Sequence, residues 1–322
     1  MGTFSSRAFA VVAAGTVIGL VACGNDDTSA GSGPPSDTTI TSLANTYCQK
    51  ISECTSDFAI QIAYGSLDGC KARAKTQFQL DIKGAGYGVT DANANSCLTA
   101  VQTTTCDDLL DNNTPSACRF KGSLADGSNC TNDGQCQSGS CFISDSATCG
   151  KCGPRTASGA DCTNSNCDYG LKCNATNLCT NGALGATCTK DSDCHAFTQC
   201  RGGVCTALLE EGAACKVKPG ATDSSCNGVK GLFCFPKNLL DPNGTCTKVK
   251  ITFVAAGEKC GFKALSPPEV TACTNGECVN DVCVTHIADG AACTGIDGQP
   301  KCEEPAKCRA NVCALKDPAT CK

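Results

Sequence analysis

Cysteine is the residue with the greatest chemical potential in this sequence, at 33 of 322 positions. A cysteine sulfur can bind a metal as the thiolate, take part in thiol–disulfide exchange, carry a lipid or cross-link the chain. Zinc modules usually present two Cys-x-x-Cys pairs or a mixed cysteine and histidine set, but Cys149 and Cys152 form the only pair at that spacing. No thioredoxin-like pattern of strands and helices surrounds this pair. We therefore predict disulfide cross-links, with no metal site and no cofactor.

Residues for acid–base or nucleophilic catalysis are few. His195 and His286 are the only imidazoles, and no Gly-x-Ser-x-Gly sequence is present. Nucleophilic catalysis needs an activated side chain together with an orienting base, so we interpret both histidines as surface residues. Asp107, Asp108 and Asp111 come nearest to a set of paired carboxylates, and we expect them to form a solvated turn. The sequence predicts a protein that is not an enzyme, and a hydrolase centred on these aspartates is the alternative.

The composition excludes several classes of partner and of fold. With 26 Lys and Arg against 31 Asp and Glu, the net charge is −5. The basic residues are scattered, which disfavours binding to nucleic acid or to lipid headgroups through a basic patch. Apolar residues make up 41% of the chain with cysteine included, and Trp is absent. Once the cysteines and the apolar residues before Cys23 are set aside, the remaining apolar residues are too few for one large core. Covalent cross-links must therefore replace much of the missing burial.

Residues 1–22 are interpreted as the signal peptide of a bacterial lipoprotein. Arg7 supplies a positive N-terminal region, and the uncharged stretch Ala8–Ala22 is shorter than the roughly 20 residues that a membrane span needs. The stretch ends in Leu20-Val21-Ala22-Cys23-Gly24, which resembles a lipobox, the motif whose cysteine receives diacylglycerol before cleavage. We predict lipid attachment at Cys23, and ordinary secretory cleavage is the alternative.

A lipidated, disordered tether is expected at residues 23–39. Two or three acyl chains, palmitate among them, anchor a protein stably because each buried methylene contributes about 0.8 kcal/mol. The segment from Asn25 to Asp37 has no aromatic or branched apolar residue, so it cannot bury anything. Gly24, and not an aspartate, comes directly after Cys23, so we predict an outer-membrane or cell-surface location, with the membrane as a partner through the lipid anchor.

Residues 40–118 predict a small all-α domain closed by disulfides, which we call the head. Three stripes of apolar residues recur at helical spacing, the first with Thr41 or Ser42 as its cap and the third after Thr90. They are Ile40, Leu43, Ala44, Tyr47, Ile51 and Cys54; Leu67, Cys70, Ala74 and Phe78; and Ala94, Cys97, Leu98 and Val101. Six cysteines allow 15 pairings, which the sequence does not distinguish: Cys48, Cys54, Cys70, Cys97, Cys106 and Cys118.

Residues 119–322 contain six tandem cysteine-rich repeats, each opening with Gly-x-x-Cys near residues 127, 159, 185, 212, 257 and 290. The second to fifth repeats have four cysteines each: Cys162, Cys167, Cys173 and Cys179; Cys188, Cys194, Cys200 and Cys205; Cys215, Cys226, Cys234 and Cys246; and Cys260, Cys273, Cys278 and Cys283. The first and last have five each: Cys130, Cys136, Cys141, Cys149 and Cys152; and Cys293, Cys302, Cys308, Cys313 and Cys321. One cysteine in each end repeat must therefore pair outside the four-cysteine pattern or stay unpaired.

Each repeat is too short to fold by burial alone, and two bridges per repeat, at about 2–4 kcal/mol each, compensate. Gly, Asn, Asp, Ser and Thr dominate the intervals between cysteines, so we expect short strands and turns, with Lys248–Phe253 as the clearest strand. The predicted fold class is a set of small disulfide-rich repeats in tandem, preceded by a small all-α disulfide-closed domain. We expect a linear array of beads, each in contact with its neighbours.

This layout resembles the Dickkopf-type N-terminal cysteine-rich repeat, which occurs in tandem in bacterial surface lipoproteins behind a short helical head. The resemblance covers about residues 40–322 and rests on three elements. They are the helical segment ending near Cys118, the sequence Phe120-Lys121-Gly122-Ser123-Leu124 and the Gly-x-x-Cys units. The resemblance implies an architecture and a location, but it brings no catalytic residues and no agreed ligand.

A candidate binding patch lies in the fourth repeat, where five large apolar residues fall close together. They are Leu232, Phe233, Phe235, Leu239 and Leu240. Either they fill the small core of this enlarged repeat, or they form an exposed apolar surface of the kind that marks a partner site. A second segment, from Ala264 to Val270, could protrude as a loop.

The predicted function is that of a non-enzymatic cell-envelope lipoprotein that presents a rigid, disulfide-bonded surface for interaction or adhesion outside the cell. The partner would be an extracellular or envelope protein or a glycan. A secreted or anchored array of protease-inhibitor or ligand-binding modules is the alternative, because a rigid loop between bridges lowers the entropy lost on binding.

Overall fold

The computed structural model describes residues 33–111, 113–144, 147–216, 226–236, 241–265, 268–295 and 299–321. The predicted signal peptide, Cys23 and the tether up to residue 32 lie outside these ranges, as do Leu239 and Leu240. Within the described ranges, no helix is long and apolar enough to cross a membrane.

The N-terminal region is helical, as predicted. Its helices are α1 (Asp37–Thr55), α2 (Phe58–Tyr64), α3 (Leu67–Asp81), α4 (Asp91–Thr103) and α5 (Cys106–Leu110). The three predicted apolar stripes lie on α1, α3 and α4 and supply most of their buried residues. Helices α2 and α5 were not predicted, because helices of 7 and 5 residues are too short to show a periodic pattern.

The start of α1 differs from the prediction. Ser36, rather than Thr41 or Ser42, is the N-cap, and its hydroxyl accepts a hydrogen bond from the backbone N–H of Thr39 at 3.2 Å. Asp37 therefore belongs to the first helical turn and not to a disordered tether, and its carboxylate forms an ion pair with Lys75 of α3 at 2.8 Å. The predicted cap at Thr90 is confirmed, as part of a capping box with Asn93.

Three disulfides hold the helices of the head around one apolar core. They are Cys48–Cys70, Cys54–Cys106 and Cys97–Cys118. The first joins α1 to α3, and the second joins α1 to α5. Phe120, just after the last of these cysteines, is completely buried in the same core, so the chain leaves the head through its interior.

The rest of the described chain forms short strands. They are β1 (Asn129–Cys130), β2 (Cys141–Phe142), β3 (Gly150–Cys152), β4 (Lys172–Cys173), β5 (Cys179–Thr180), β6 (Thr198–Arg201), β7 (Val204–Ala207), β8 (Ala214–Lys216), β9 (Leu232–Pro236), β10 (Asn243–Lys248), β11 (Lys250–Val254), β12 (Gly261–Leu265), β13 (Pro268–Cys273), β14 (Gly276–Val279), β15 (Val282–Thr285), β16 (Lys307–Arg309) and β17 (Val312–Ala314). They make two- and three-stranded sheets, antiparallel except where β11 pairs with β13. The strand predicted at Lys248–Phe253 is divided at Val249, whose side chain is buried.

Within each repeat the first of its four core cysteines bonds to the third, and the second bonds to the fourth. These bridges are Cys130–Cys141 and Cys136–Cys152, Cys162–Cys173 and Cys167–Cys179, Cys188–Cys200 and Cys194–Cys205, Cys215–Cys234 and Cys226–Cys246, Cys260–Cys278 and Cys273–Cys283, and Cys293–Cys308 and Cys302–Cys313. The odd cysteines of the two end repeats bond to each other as Cys149–Cys321, across 172 residues of sequence.

The Gly-x-x-Cys motif has a single physical explanation in all six repeats. The motif glycine has a φ of 81° to 90°, a region that side-chain-bearing residues rarely adopt. This conformation directs its backbone N–H to the carbonyl oxygen of the cysteine on the last strand of the same repeat, at 2.8 Å every time. In the third repeat, for example, Gly185 donates to Cys205. This hydrogen bond therefore connects the start of each repeat to the strand that carries the last of its four core cysteines.

The expected linear array is wrong, because the repeats form a closed ring around the head. Cys149–Cys321 joins the first repeat to the last. The head also contacts the repeats directly: the carbonyl of Gln61 accepts from the N–H of Asn275 in the fifth repeat, and Arg73 of α3 donates to backbone carbonyls of the sixth. The sequence predicted contacts between neighbouring repeats but no packing of the repeats against the head.

The candidate patch in the fourth repeat is largely internal. The side chains of Leu232 and Phe235 are buried, and Phe235 packs with Val249, between β10 and β11, and with Val270 of β13. These two residues therefore belong to the small core of the fourth repeat, which was one of the two predicted alternatives, and not to an exposed surface. The segment from Ala264 to Val270 likewise lies mainly in the paired strands β12 and β13 instead of in a protruding loop.

Candidate functional site

Asp111, one of the three aspartates considered for catalysis, docks the head onto two repeats. Its side chain is only 3% exposed, and its Oδ1 lies 3.1 Å from the Lys172 amino group and accepts the Ala196 backbone N–H at 2.5 Å. Its Oδ2 lies 3.5 Å from Nδ1 of His195. The prediction of a solvated turn is wrong for Asp111, whereas Asp107 is exposed, as that prediction requires.

Both histidines lie at contacts between the head and the repeats instead of on an open surface. His195 places Nε2 at 3.2 Å from the carbonyl oxygen of Gly170, while its other ring nitrogen faces Asp111. His286 places Nδ1 at 3.2 Å from the amide oxygen of Asn275, and burial lowers its pKa. Asn275 belongs to the same repeat as His286, but His286 also hydrogen-bonds to the backbone of Ala63 in α2 of the head. Each ring therefore lies at a contact between modules, and the two contacts are different. The structure therefore does not bring them together as an acid–base pair.

A second buried carboxylate, Asp81, lies where the head meets both ends of the repeat ring. Its Oδ1 accepts hydrogen bonds from the amides of Gln77 at 3.0 Å and Asn132 at 3.4 Å. Gln77 also bonds in both directions to the backbone of Lys316, beyond the last repeat hairpin. Burial raises the pKa of Asp81 to about 7, although the nearby Lys316 opposes the shift. Burial in turn lowers the pKa of Lys316.

Tyr169 of the second repeat lies at a third contact between modules. The guanidinium groups of Arg119 and Arg155 lie on its ring, each 3.9 Å from the ring centre. Arg155 also pairs with the buried Asp133 of the first repeat at 2.5 Å, and Asp133 accepts the backbone N–H of Cys141 at 2.7 Å. Cation–π contacts and a buried ion pair thus hold the first two repeats to the chain that leaves the head.

The cysteine sulfurs are close enough to suggest metal sites, but they are already bonded to one another. Within several repeats three sulfurs lie within 4.8 Å, as Cys188, Cys194 and Cys205 do. Each of these sulfurs is in a disulfide and so provides no thiolate for a metal. Cys149 and Cys152 have different partners and do not form a bridge with each other.

Large apolar side chains are exposed at one equivalent position in four repeats, the residue before the last cysteine of the four-cysteine pattern. We call these the hairpin apolar positions: Leu178, Val204, Val282 and Val312, each 38–40% exposed. Each residue forms a β-bridge to the residue before the first cysteine of its repeat. These positions were not predicted as a surface feature, although Leu or Val recurs before that cysteine in these four repeats.

One open groove of about 410 Å³ lies between the second and third repeats. Its lining is mainly small and polar, with Asp193 as its carboxylate. Both oxygens of Asp193 accept hydrogen bonds, from the backbone and hydroxyl of Thr189, from the N–H of Lys190 and from that of Ala175. This carboxylate thus fixes the local turn and joins two repeats, which leaves it no evident chemical role.

The first prediction concerns Asp111. Asp111→Ala removes the acceptor of the Ala196 N–H and the carboxylate that pairs with Lys172, so we expect a loss of about 2–3 kcal/mol in the free energy of unfolding. Urea unfolding with the disulfides intact measures this loss, and hydrogen exchange at Ala196 should become faster. Asp107→Ala, at an exposed position of α5, the helix that ends just before Asp111, is the matched control and should change the stability by less than about 0.5 kcal/mol. Equal effects of the two variants would contradict the docking role.

The second prediction concerns Asp81. Its pKa of about 7 lies above that of an unfolded aspartate, so the folded state loses stability as pH rises from about 4 to 7. Asp81→Asn removes the charge, and its free energy of unfolding should exceed that of the natural protein by about 2–4 kcal/mol at pH 8. The difference should shrink towards zero near pH 4. Asp68→Asn, at an exposed site on α3, is the control, and a pH-independent difference for Asp81→Asn would contradict the prediction.

Comparison with known proteins adds no relative to this description. No family model, no curated protein and no solved structure matches the chain. The described geometry groups the buried titratable residues into docking contacts and leaves the hairpin apolar positions as a repeated feature of the exposed surface.

Proposed function

We propose that this protein is a non-enzymatic lipoprotein of the bacterial cell envelope, anchored through lipid on Cys23, that presents a rigid surface for interaction or adhesion outside the cell. The observation that carries the proposal is the ring of repeats closed by Cys149–Cys321 around a helical head. A shape that is covalently closed and docked at its centre suits a protein whose task is to hold a surface in a fixed form.

The disulfides support a location outside the cytoplasm. Sixteen bridges hold the described chain, and persistent disulfides at this density are typical of oxidising compartments. The resemblance to Dickkopf-type repeats of bacterial surface lipoproteins favours the same location. The lipobox at Leu20–Gly24 supplies the means of attachment.

The distribution of charged groups supports a binding role over a catalytic one. Asp81, Asp111 and His195 are used between modules, where they hold the repeats to the head. A catalytic site needs such groups to face a substrate. Instead, the repeated exposed feature is the set of hairpin apolar positions, and apolar groups on a rigid scaffold bind with little loss of conformational entropy.

The third prediction tests the anchor. Full-length protein from the membrane fraction of an expressing bacterium should have the mass of a chain beginning at Cys23 plus its acyl chains. Reduction should add about 32 Da, two hydrogens for each of 16 bridges. Cys23→Ser should move the protein to the soluble fraction while keeping the same mass gain on reduction. An unmodified chain in the soluble fraction for the natural sequence would refute the lipid anchor and leave a secreted protein.

The fourth prediction tests the surface, with the soluble Cys23→Ser chain titrated onto intact bacterial cells. We expect saturable binding, which Val204→Ser combined with Val282→Ser should weaken about tenfold, from the lost burial of two partly exposed side chains. Ala207→Ser combined with Thr285→Ser changes exposed residues on the same two strands and should leave binding intact. Binding that both pairs weaken equally would exclude the hairpin apolar positions, and the absence of saturable binding would refute adhesion to cells.

A further inference from the structure

Cys149–Cys321 differs from the other fifteen bridges of the described chain in two ways. It is the one that joins two modules, since the others lie inside the head or inside a single repeat. It is also the one bridge in which neither cysteine is buried; in each of the others at least one partner is. Attack on either sulfur would therefore expel a thiolate from a cysteine that is only half-buried.

A cation lies beside this bridge. The guanidinium of Arg309 donates to the carbonyl oxygens of Ala147 at 3.3 Å and Thr148 at 3.2 Å. The same Thr148 oxygen lies 3.7 Å from Sγ of Cys321. Within the described ranges Arg309 forms no ion pair with a carboxylate, so its charge is uncompensated there. A nearby positive charge stabilises a thiolate and so favours it as a leaving group in thiol–disulfide exchange.

The contacts that would remain after cleavage are noncovalent. Arg309 would still bond to the backbone of the first repeat, and Gln77 would still bond to Lys316. Arg73 of the head would still donate to the backbone of the sixth repeat. The bridges inside the head and the repeats would stay closed, since at least one cysteine of each is buried. Cleavage would therefore change the ring from a covalent closure to one held by polar contacts, without unfolding any module.

We propose that Cys149–Cys321 is a redox-sensitive clasp whose reduction opens the ring. A dithiol reductant attacks one sulfur through its thiolate and forms a mixed disulfide, and the other cysteine leaves as a thiolate that takes up a proton. The second thiol of the reductant then displaces the remaining cysteine. The dithiol is oxidised to its disulfide, and two electrons and two protons pass to Cys149 and Cys321. The clasp depends on neither the lipid on Cys23 nor the identity of a partner.

Cys162–Cys173 is the strictest comparison, because Cys173 is exposed while its partner is buried. Attack on Cys173 must expel a thiolate into the core of the repeat, and only 11 residues separate the two cysteines, so the bridge re-forms readily. Accessibility of one sulfur alone would make this bridge the first to be reduced. A clasp between two half-buried cysteines beside a cation would be reduced before it.

The fifth prediction is tested by titrating the native full chain with dithiothreitol, trapping thiols with iodoacetamide and mapping the alkylated cysteines by mass spectrometry. Cys149 and Cys321 should be alkylated together at a dithiothreitol concentration at least about tenfold lower than any other pair, a difference of about 30 mV in reduction potential. Earlier or simultaneous reduction of Cys162–Cys173, or of any other bridge, would overturn the proposal.

Opening is measured separately by hydrogen exchange on the same singly reduced chain. The backbone N–H of Lys316, which bonds to Gln77, should exchange at least about tenfold faster after reduction, while amides inside the fifth repeat stay unchanged. The variant Cys149→Ser combined with Cys321→Ser should match the reduced chain, and Cys162→Ser combined with Cys173→Ser should leave exchange at Lys316 unaltered. Unchanged exchange at Lys316 after selective reduction would refute the opening of the ring.

Discussion

The structure depends on the substitution of sulfur for hydrocarbon in the core of each repeat. In the third repeat the buried cluster consists of Cys188, Cys194 and Cys205, with Ala186 and Cys200 packed around it. Units of this size bury too little apolar surface to offset the entropy of folding, so the cross-links must restrict the unfolded chain instead. The strands can then be two to six residues long, because the bridges and not the sheets hold the repeat together.

The head is the one module of the described chain with an extensive apolar core, and this makes it the centre of the assembly. The repeats meet it largely through polar groups, and Tyr169 and Phe253 add apolar contacts to it. Buried carboxylates such as Asp81 and Asp111 are costly unless they are hydrogen-bonded, so each contact holds only when its partners are correctly placed. Polar docking of this kind favours one arrangement of the ring over others.

The sequence predicted the parts of the fold that repeat or recur at a regular spacing. The stripe from Ile40 to Cys54 identified α1, and the recurring glycine and cysteine spacing identified all six repeats. Contacts between residues distant in sequence were not accessible in this way. The count of five cysteines in each end repeat left the Cys149–Cys321 pairing as one possibility among others. The contact that Asp111 makes with the Ala196 N–H joins residues 85 positions apart. No local pattern encodes such a contact, since it exists only when the repeats are packed against the head.

The separations between bonded cysteines set an order for oxidation as the chain emerges from its N-terminus. Each bridge inside a repeat joins cysteines 10 to 20 residues apart, so each repeat can oxidise soon after it appears. Cys149 must instead remain a thiol until Cys321 emerges, 172 residues later, while five further repeats oxidise around it. Ring closure therefore requires that this single thiol be protected from mispairing during biosynthesis. The enzymes that introduce and isomerise disulfides would act on it last.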